Sequence, residues 1–530
     1  MRLAPATGLL GWIAYAALAI LLAWPWLSSP FLFSADQYMH GYNVCVLEDL
    51  LRDSDSFYAS WLTVNTFPEP NLLGQAIHLL LRQGLSDPFA EKVLLLLLLG
   101  LNGYAFLGGW SRSAAPASRT LAQTALASLA ACFWLSASWQ LGFVNYLLGM
   151  ALVLAALRNT AHDRTGYVRV LLWSALSYFA HPIALLFFLG TYSLRYLLEA
   201  ADRKDSRWTD TLRHVTPRFL PALLLLVAYI FMHSEVSTWR GASPWRLLGL
   251  LYYHNDLTLF NPQEELAAKG IMLLTSVAVL IAAVRWRAWS KQSLQLSLVG
   301  IAVLVAAIVL APDYLAGGAL LHQRLMPFVF IWALWTLSSF ALPATIHVQL
   351  RRPVAASYFV FGLILVGSIT SLTIERHRAL GSVSEALVDF RGLIEAVPSQ
   401  STLLPVAGTG QFQTPFGLTP KPVMHHYAGV IDCGSEIVLL DNYEAFVGYF
   451  PLLWQPKHDP FAMLSRGIEA HPAKLDTAAN DWLLSHVDYL VSYGPLDEAL
   501  HAESLAMLRP HLRPIKESKR GTFALYKVNE

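Results

Sequence analysis

Two residues near the start of the chain have side chains that suit proton transfer. Asp36 and His40 are four positions apart, and Asn43 follows three positions later. If residues 35–47 form a helix, the three side chains lie on one face, with a carboxylate next to an imidazole. Such a pair suits general base catalysis, so we expect Asp36 and His40 to be catalytic. Asp36 is also a favourable helix N-cap, and that alternative stays open because one carboxylate can serve both purposes.

Polar residues also stand near the ends of apolar segments farther along the chain. Arg324 lies where an apolar run begins, and its guanidinium has a planar fork that matches phosphate oxygens. Snorkelling of Arg324 to the membrane surface is the alternative. Polar groups near hydrocarbon are costly unless satisfied, which favours a site, although helix ends are often polar without one. We expect substrate binding in one outward-facing cavity by Asn145, His181, Asp313, His322 and Arg324.

The composition indicates what kind of molecule positions these groups. The chain has 530 residues, 55% hydrophobic and 14% charged, and its mean hydropathy is +0.45. Soluble proteins carry roughly 25% charged residues, so the composition excludes a disordered or ordinary cytosolic protein and predicts one embedded in a lipid bilayer. The net charge is +1 and no long basic tract is present, so nucleic acid is not an expected partner.

Apolar runs of about 20 residues predict the membrane-spanning helices. The stretch 167–199 is too long for one span, and Ala180-His181-Pro182 interrupts it where a proline removes a helix hydrogen bond. We read this stretch as two short helices, which makes about eleven spans in total. The other runs are 8–27, 91–109, 120–136, 141–157, 217–235, 270–286, 294–311, 324–343 and 353–373.

Basic residues predict the orientation of these helices. Lysine and arginine concentrate in alternate loops, around 112–119, 158–169, 203–218, 285–291 and 351–352, and short basic loops stay in the cytoplasm. The first run ends in the bulky segment 23–26, unlike a signal peptidase site, so we expect an uncleaved anchor. The prediction is a multi-pass membrane protein with a cytoplasmic N-terminus and an extracytoplasmic C-terminus.

Two segments outside the spans are expected to fold. The first outer loop, 28–90, has amphipathic patterns around 44–51 and 72–80, typical of helices that lie on the membrane or pack on the bundle. From about 375 onward the pattern predicts a small α/β domain, with helices at 387–397 and 476–485 and strands at 401–406, 436–440, 487–492 and 522–528. The predicted domains are therefore an α-helical polytopic membrane bundle, 1–374, including the loop 28–90, and a C-terminal soluble α/β domain, 375–530.

The cysteines and the tail give little sign of a metal or phosphate site. Cys45, Cys132 and Cys433 form no C-x-x-C pair and have no zinc-like spacing. Cys45 and Cys433 fall on one predicted side of the membrane, which permits a disulfide, but two unpaired thiols are the favoured interpretation. The tail lacks a phosphate-binding glycine loop, an H-E-x-x-H motif and a G-x-S-x-G motif.

This arrangement resembles the GT-C superfamily of polytopic glycosyltransferases. The likeness lies in a first span, a large outer loop that opens with an acidic residue in FSADQYMH (33–40), short later turns and a C-terminal extracytoplasmic domain. The segments GFVNYLLG (142–149) and FAHP (179–182) look like those of uncharacterised bacterial members. The resemblance implies transfer of a hexosyl or pentosyl group from a polyprenyl-phosphate donor. The acceptor would be a cell-envelope glycan, lipid or protein at the outer face of the bacterial inner membrane.

The resemblance also implies roles for particular residues. Asp36 would remove a proton from the acceptor hydroxyl, and Arg324 with His322 would stabilise the departing lipid phosphate, whose charge grows in the transition state. Many members have Asp-Glu at this point, whereas this chain has Asp36-Gln37. That difference leaves Asp36 as the base and weakens a metal-binding proposal, so no cofactor is certain, and a divalent metal is possible but not supported.

Three other functions compete with this one. An O-antigen polymerase or ligase also has many spans and an outer loop with Arg and His. A non-catalytic GT-C-like scaffold or polysaccharide-binding membrane protein is favoured by the missing second acid after Asp36. A transporter is disfavoured, because few ionisable residues fall in the middle of the predicted spans and no matched pair of broken helices is present.

Overall fold

The computed structural model describes residues 4–108, 117–160, 166–202, 208–233, 245–284, 291–312, 314–315, 318–319, 321–341, 352–407, 413–414, 417–418, 426–463, 477–494, 496 and 508–529. The chain divides into two compact units. The first, called the helical unit, comprises Met1–Ser28 and Lys92–His377. The second, called the mixed unit, comprises Ser29–Glu91 and Arg378–Glu530. The outer loop assigned from the sequence to the membrane domain is thus grouped with the C-terminal tail.

Helices make up most of the described chain. They are α1 (Ala4–Leu27), α2 (Gln37–Arg52), α3 (Leu73–Arg82), α4 (Asp87–Leu107), α5 (Ala117–Trp134), α6 (Ala137–Gln140), α7 (Val144–Asn159), α8 (Tyr167–Ala180), α9 (Pro182–Asp202), α10 (Trp208–Met232), α11 (Trp245–Leu251), α12 (His254–Leu257), α13 (Glu265–Val284), α14 (Lys291–Leu310), α15 (Leu321–Thr336), α16 (Arg352–Ile394), α17 (Tyr443–Val447), α18 (Pro460–Met463) and α19 (Thr477–His486).

The strands are short and most belong to the mixed unit. They are β1 (Leu62–Val64), β2 (Tyr314–Leu315), β3 (Gly318–Ala319), β4 (Ser401–Ala407), β5 (Gln413–Thr414), β6 (Gly417–Leu418), β7 (Ile437–Leu439), β8 (Leu452–Trp454), β9 (Tyr489–Tyr493), β10 (Leu512–Glu517) and β11 (Phe523–Val528).

Six helical segments of the described residues are long and apolar enough to cross a membrane. They are Gly8–Leu27, Asp87–Leu107, Leu212–Met232, Pro262–Val284, Lys291–Leu310 and Phe359–Ile394. Each apolar run in the sequence overlaps a helix, but the total of eleven spans stays a prediction. The described part of the chain is therefore mostly helical, with these six candidate membrane spans.

Close packing of small residues joins α7 to the next two helices of the helical unit. A Cβ atom at Gly149 would lie 2.8 Å from the Cβ of Ala184 and 3.0 Å from the Cβ of Ala180. Such small residues let helix backbones approach closely. Close packing matters for helices in a membrane because the hydrophobic effect does not drive their association there. The contact fixes α7 against the break between α8 and α9.

A buried ion pair stabilises another part of the helical unit. Arg376 Nε donates to Glu264 Oε2 at 3.0 Å, and both side chains have no exposed surface. Arg376 also donates to two backbone carbonyls, and the Glu264 carboxylate accepts backbone N–H groups just before α13. All these hydrogen bonds satisfy charges that would otherwise be costly to bury.

A five-stranded sheet forms the centre of the mixed unit, in the order β10-β11-β9-β4-β7. β4 is parallel to both of its neighbours, and β11 is antiparallel to β9 and β10. Apolar side chains such as Leu403, Leu490 and Leu525 are buried. Each of the four strand segments expected from the sequence overlaps a strand of this sheet.

Segment 29–91 adds helices and one strand to the same unit. β1 pairs antiparallel with β8, with Leu62 opposite Trp454. The Tyr42 hydroxyl donates to the carbonyl of Ile437 at 3.1 Å, so α2 is tied to β7. Burial raises the pKa of Tyr42 well above its ordinary value, which keeps this hydroxyl protonated.

One long helix replaces two predicted elements near the end of the last apolar run. A span at 353–373 and a separate helix at 387–397 were expected, whereas α16 is continuous over 43 residues. The intervening segment 374–386 contains no proline, and its single glycine is tolerated within a helix. The change from apolar to polar composition therefore does not interrupt the backbone hydrogen bonds.

Candidate functional site

A histidine lies at the break between α8 and α9 in the helical unit. α9 begins at Pro182, a residue suited to the first helical position because that position needs no N–H partner. The residue before a proline avoids helical dihedral angles, and His181 has φ −168° and ψ 139°. The proline thus produces the break, and His181 is 6% exposed within it.

Arg324 contacts this imidazole from the first turn of α15. Its Nη1 atom is 3.1 Å from His181 Nε2. The guanidinium carbon lies 3.8 Å from the centre of the Phe143 ring, a cation–π distance. The Tyr146 ring packs edge-on against His181, with 5.2 Å between ring centres. The structure therefore brings together His181 and Arg324 and adds two aromatic residues for which the sequence predicted no role.

Each ring nitrogen of His181 faces an N–H group. The backbone N–H of Ile183 points at Nδ1, with 3.2 Å between the nitrogens, while Arg324 approaches Nε2. A neutral imidazole has only one acceptor nitrogen, so it cannot accept from both groups at once. An anionic oxygen that accepted from the guanidinium would remove the conflict. The pair is thus suited to binding an anion such as phosphate.

The structure describes two of the other three predicted substrate-binding residues of the helical unit. Asn145 is buried in the first turn of α7, one residue before Tyr146. His322 is half-buried and lies two residues before Arg324 in α15. Asp313 lies outside the described residues. A role of these three residues in substrate binding stays a prediction.

In the mixed unit, Asp36 occupies the position before α2. Its side chain makes no capping hydrogen bond, and its backbone is helical, with φ −83° and ψ −18°. Its carbonyl accepts the N–H of His40 at 2.9 Å. The half-buried carboxylate therefore does not cap the helix, and it lies at a helix N-terminus, where the macrodipole favours negative charge.

His40 and Asn43 both contact a carboxylate that sequence reasoning missed. His40 Nδ1 is 2.6 Å from Glu444 Oε1, and Asn43 Nδ2 donates to Glu444 Oε2 at 2.7 Å. Asn442 Nδ2 donates to Asn43 Oδ1 at 2.7 Å, and Gln75 Nε2 is 3.4 Å from His40 Nδ1. Glu444 is fully buried. No signal in the sequence links it to His40, because the two residues are about 400 positions apart.

The cysteines of the described residues differ in oxidation state. Cys45 is disulfide-bonded, so its interpretation as an unpaired thiol is wrong. Cys132 is a free, buried cysteine. Among the residues that the structure describes, no group of three or more His, Cys, Asp or Glu side chains could hold a metal ion.

No protein-family model matches the sequence, and no curated protein matches it. A crystal structure of ArnT from Cupriavidus metallidurans in the apo state is similar, with 12% sequence identity, 97% of each chain covered and a TM-score of 0.49. A crystal structure of the same protein bound to undecaprenyl phosphate is similar at 13% identity, covering 97% of this chain and 98% of that chain, with a TM-score of 0.49.

Proposed function

We propose that the protein is a membrane glycosyltransferase that moves a sugar from a polyprenyl-phosphate-linked donor to an acceptor outside the cytoplasm. The observation that carries the proposal is the contact between Arg324 and His181 in a unit rich in apolar helices. A hydrophobic lipid tail needs such surroundings, and its phosphate needs a cation near them. The resemblance of the sequence to GT-C glycosyltransferases supplies the reaction type.

The surroundings of Arg324 favour phosphate as its ligand. Stacking on Phe143 orients the guanidinium plane, and an oriented fork can donate two parallel hydrogen bonds to one phosphate. A bound phosphate also gives Arg324 an oxygen acceptor in place of His181 Nε2. The neutral imidazole can then accept from the backbone N–H of Ile183 through Nδ1. Arg324 then stabilises the charge that grows on the leaving phosphate.

Asp36 is the proposed general base. The acceptor oxygen forms a bond to the anomeric carbon while the bond from that carbon to the phosphate oxygen breaks. The electron pair stays with the phosphate, and the hydroxyl proton passes to Asp36. The partial exposure of this carboxylate and its position at the start of α2 support the assignment. His40, held against Glu444 in the same unit, is proposed to assist the proton transfer.

The proposed topology has eleven spans, counting α8 and α9 as two short ones. The N-terminus then lies in the cytoplasm of a bacterium and the C-terminal residues in the periplasm. The alternation of basic loops supports this orientation. A reporter fused after residue 530 tests it, because a cytoplasmic signal there would contradict the count.

The function is tested in a deletion strain by glycan analysis of intact cells. Complementation with the wild-type chain should restore the missing glycan, whereas Asp36→Asn and Arg324→Gln should not. Asp53→Asn at the end of α2 and Arg195→Gln, which removes a pair with Glu199 and a hydrogen bond to the Leu157 carbonyl, are matched controls and should restore it. Full activity of Asp36→Asn would remove that residue from the mechanism.

Measuring the binding of a polyprenyl phosphate distinguishes residues needed for catalysis from residues needed to bind the ligand. Purified Asp36→Asn should bind a polyprenyl phosphate as the wild type does, because it lacks only the base. Arg324→Gln should bind it at least tenfold more weakly, the loss that corresponds to about 1.4 kcal/mol. Equal binding by Arg324→Gln and the wild type would reject the phosphate assignment. A non-catalytic scaffold, by contrast, would complement equally well with Asp36→Asn.

A further inference from the structure

Two buried polar side chains, that of Tyr146 and that of Gln140 six positions before it in the chain, lack hydrogen-bond partners in the part of the chain that the structure describes. The amide of Gln140 has neither its oxygen nor its nitrogen paired, and this residue has no exposed surface. The hydroxyl of Tyr146 is also unpaired, and this residue is 1% exposed. Nearly all buried polar atoms in proteins have a partner, so such groups need an explanation.

A tight turn connects Gln140 to the residues that contact the proposed phosphate site. Gln140 ends α6, and the following tight turn is closed by bonds from Gly142 N–H to Trp139 O at 2.9 Å and from Phe143 N–H to Ser138 O at 3.1 Å. Gly142 has φ +89°, a conformation that favours glycine. The turn leads directly to Phe143, which stacks on Arg324, and then to Tyr146, which packs on His181.

The chemistry of these groups indicates what they bind. A glutamine amide offers two donors and an acceptor oxygen, and a tyrosine hydroxyl offers one donor and accepts as well. A phosphate dianion presents acceptors alone, so it could not satisfy the Gln140 oxygen. Sugar hydroxyls both donate and accept. Adjacent hydroxyls on a sugar ring therefore match the amide in a way that a bare lipid phosphate does not.

We infer that Gln140 and Tyr146 bind hydroxyl groups of the sugar whose phosphate is held by Arg324. This inference rests on the proposed function and specifies its ligand as a glycosyl phosphodiester. Gln140 and Tyr146 would then determine which sugar is bound. A site built to hydrogen-bond hydroxyls discriminates strongly against ligands that lack them, since its buried polar groups are then left unpaired.

The inference is tested with two kinds of probe, dodecyl phosphate and a panel of its hexosyl and pentosyl esters. The wild-type protein should bind at least one ester about tenfold more tightly than dodecyl phosphate. Gln140→Met, which keeps the length of the side chain and removes its polar atoms, should abolish that preference. Tyr146→Phe should reduce it about threefold or more. Neither variant should change the affinity for dodecyl phosphate more than about twofold.

Thermal unfolding of the unliganded protein separates ligand recognition from a structural role. Removing an unpaired buried amide also removes its desolvation cost, so Gln140→Met should leave the Tm unchanged or raise it. The matched control is Gln123→Met, because Gln123 is buried in the same unit but donates to the Ser338 carbonyl at 3.4 Å. That variant should lower the Tm and leave the preference for esters intact.

The results distinguish failure of the sugar-binding inference from failure of the proposed function. If Arg324→Gln weakens binding of both probes but Gln140→Met and Tyr146→Phe keep the full preference for esters, the inference is wrong and the proposed phosphate site stands. A wild-type protein that binds no ester better than dodecyl phosphate also overturns the inference. A marked fall in Tm for Gln140→Met together with an unchanged preference shows a structural amide. If Arg324→Gln binds both probes normally, the proposed function itself fails.

Discussion

Arg324 Nη1 lies 3.1 Å from His181 Nε2, although the two residues are 143 positions apart in the chain. The contact joins the first turn of α15 to the break between α8 and α9. His181 also faces the backbone N–H of Ile183, so the imidazole alone cannot satisfy both donors. This excess of donors makes the pair suited to binding an oxygen anion.

Double substitution tests whether the two side chains act on one ligand. Residues that share a ligand are coupled, so we expect the effects of Arg324→Gln and His181→Phe on dodecyl phosphate affinity to be non-additive by roughly 0.5–3 kcal/mol. The measurement is a double-mutant cycle of dissociation constants in detergent. Arg324→Gln combined with Arg195→Gln is the control cycle and should be additive. Additivity in both cycles would show that His181 does not act with Arg324.

The sequence was sufficient to predict His181 and Arg324 as site residues, but it did not predict that they contact each other. His181 was identifiable because Pro182 follows it and interrupts an apolar run, and Arg324 because it begins an apolar run on the predicted outer side, where positive charge is disfavoured. Phe143 and Tyr146 lie in the quoted segment 142–149, but their contacts were not predictable, since aromatic residues in an apolar run usually serve packing. Their roles depend on how α7 packs against α8 and α9, which hydrophobic periodicity does not specify.

The fold was predictable to a similar degree. Long apolar runs indicated the positions of the helices, because length and hydropathy suffice for that. The grouping of 29–91 with the tail was missed, since it depends on pairing of β1 with β8 and on contacts of α2 with β7. β10 was missed because its segment, 512–517, alternates too weakly and contains a proline. Long-range pairing of this kind leaves no local signal.

The buried pair of Arg376 and Glu264 should be essential for stability. Glu264→Gln leaves the Arg376 charge without its counterion in a buried site, and breaking such a pair costs about 3–5 kcal/mol. We expect a fall in Tm of several degrees in thermal unfolding of the detergent-solubilised protein. The double variant Glu264→Leu with Arg376→Met should lose less, because no unpaired charge remains.

A surface ion pair provides the control for that experiment. Lys269 contacts Glu265 at 2.6 Å on α13, and both side chains are about half exposed. Lys269→Met should leave the Tm unchanged within error, since exposed pairs contribute little. Equal effects of Lys269→Met and Glu264→Gln would contradict the importance assigned to burial.

Glu444 should contribute to the stability of the mixed unit through its contacts with His40 and Asn43. Glu444→Ala removes the carboxylate that His40 and Asn43 share inside the protein, and we expect a loss of about 3 kcal/mol in unfolding free energy. Glu444→Gln keeps the shape and should lose less. Urea unfolding of the full chain, monitored by tryptophan fluorescence, measures both. Glu517→Ala on an exposed strand is the control and should be neutral.

Close packing at Gly149 should determine where His181 lies. Gly149→Ala adds a Cβ atom 2.8 Å from the Cβ of Ala184 and 3.0 Å from that of Ala180, so α7 must move away from the break between α8 and α9. Overpacking of this kind costs about 1–3 kcal/mol. Tyr146 and His181 then separate, so dodecyl phosphate affinity should fall together with the Tm.

Gly190→Ala on α9 adds a Cβ atom into open space, and it should leave both quantities unchanged or raise the Tm, because alanine favours helix over glycine. Normal affinity in Gly149→Ala, with only the Tm lowered, would show that the proposed phosphate site does not depend on this helix contact.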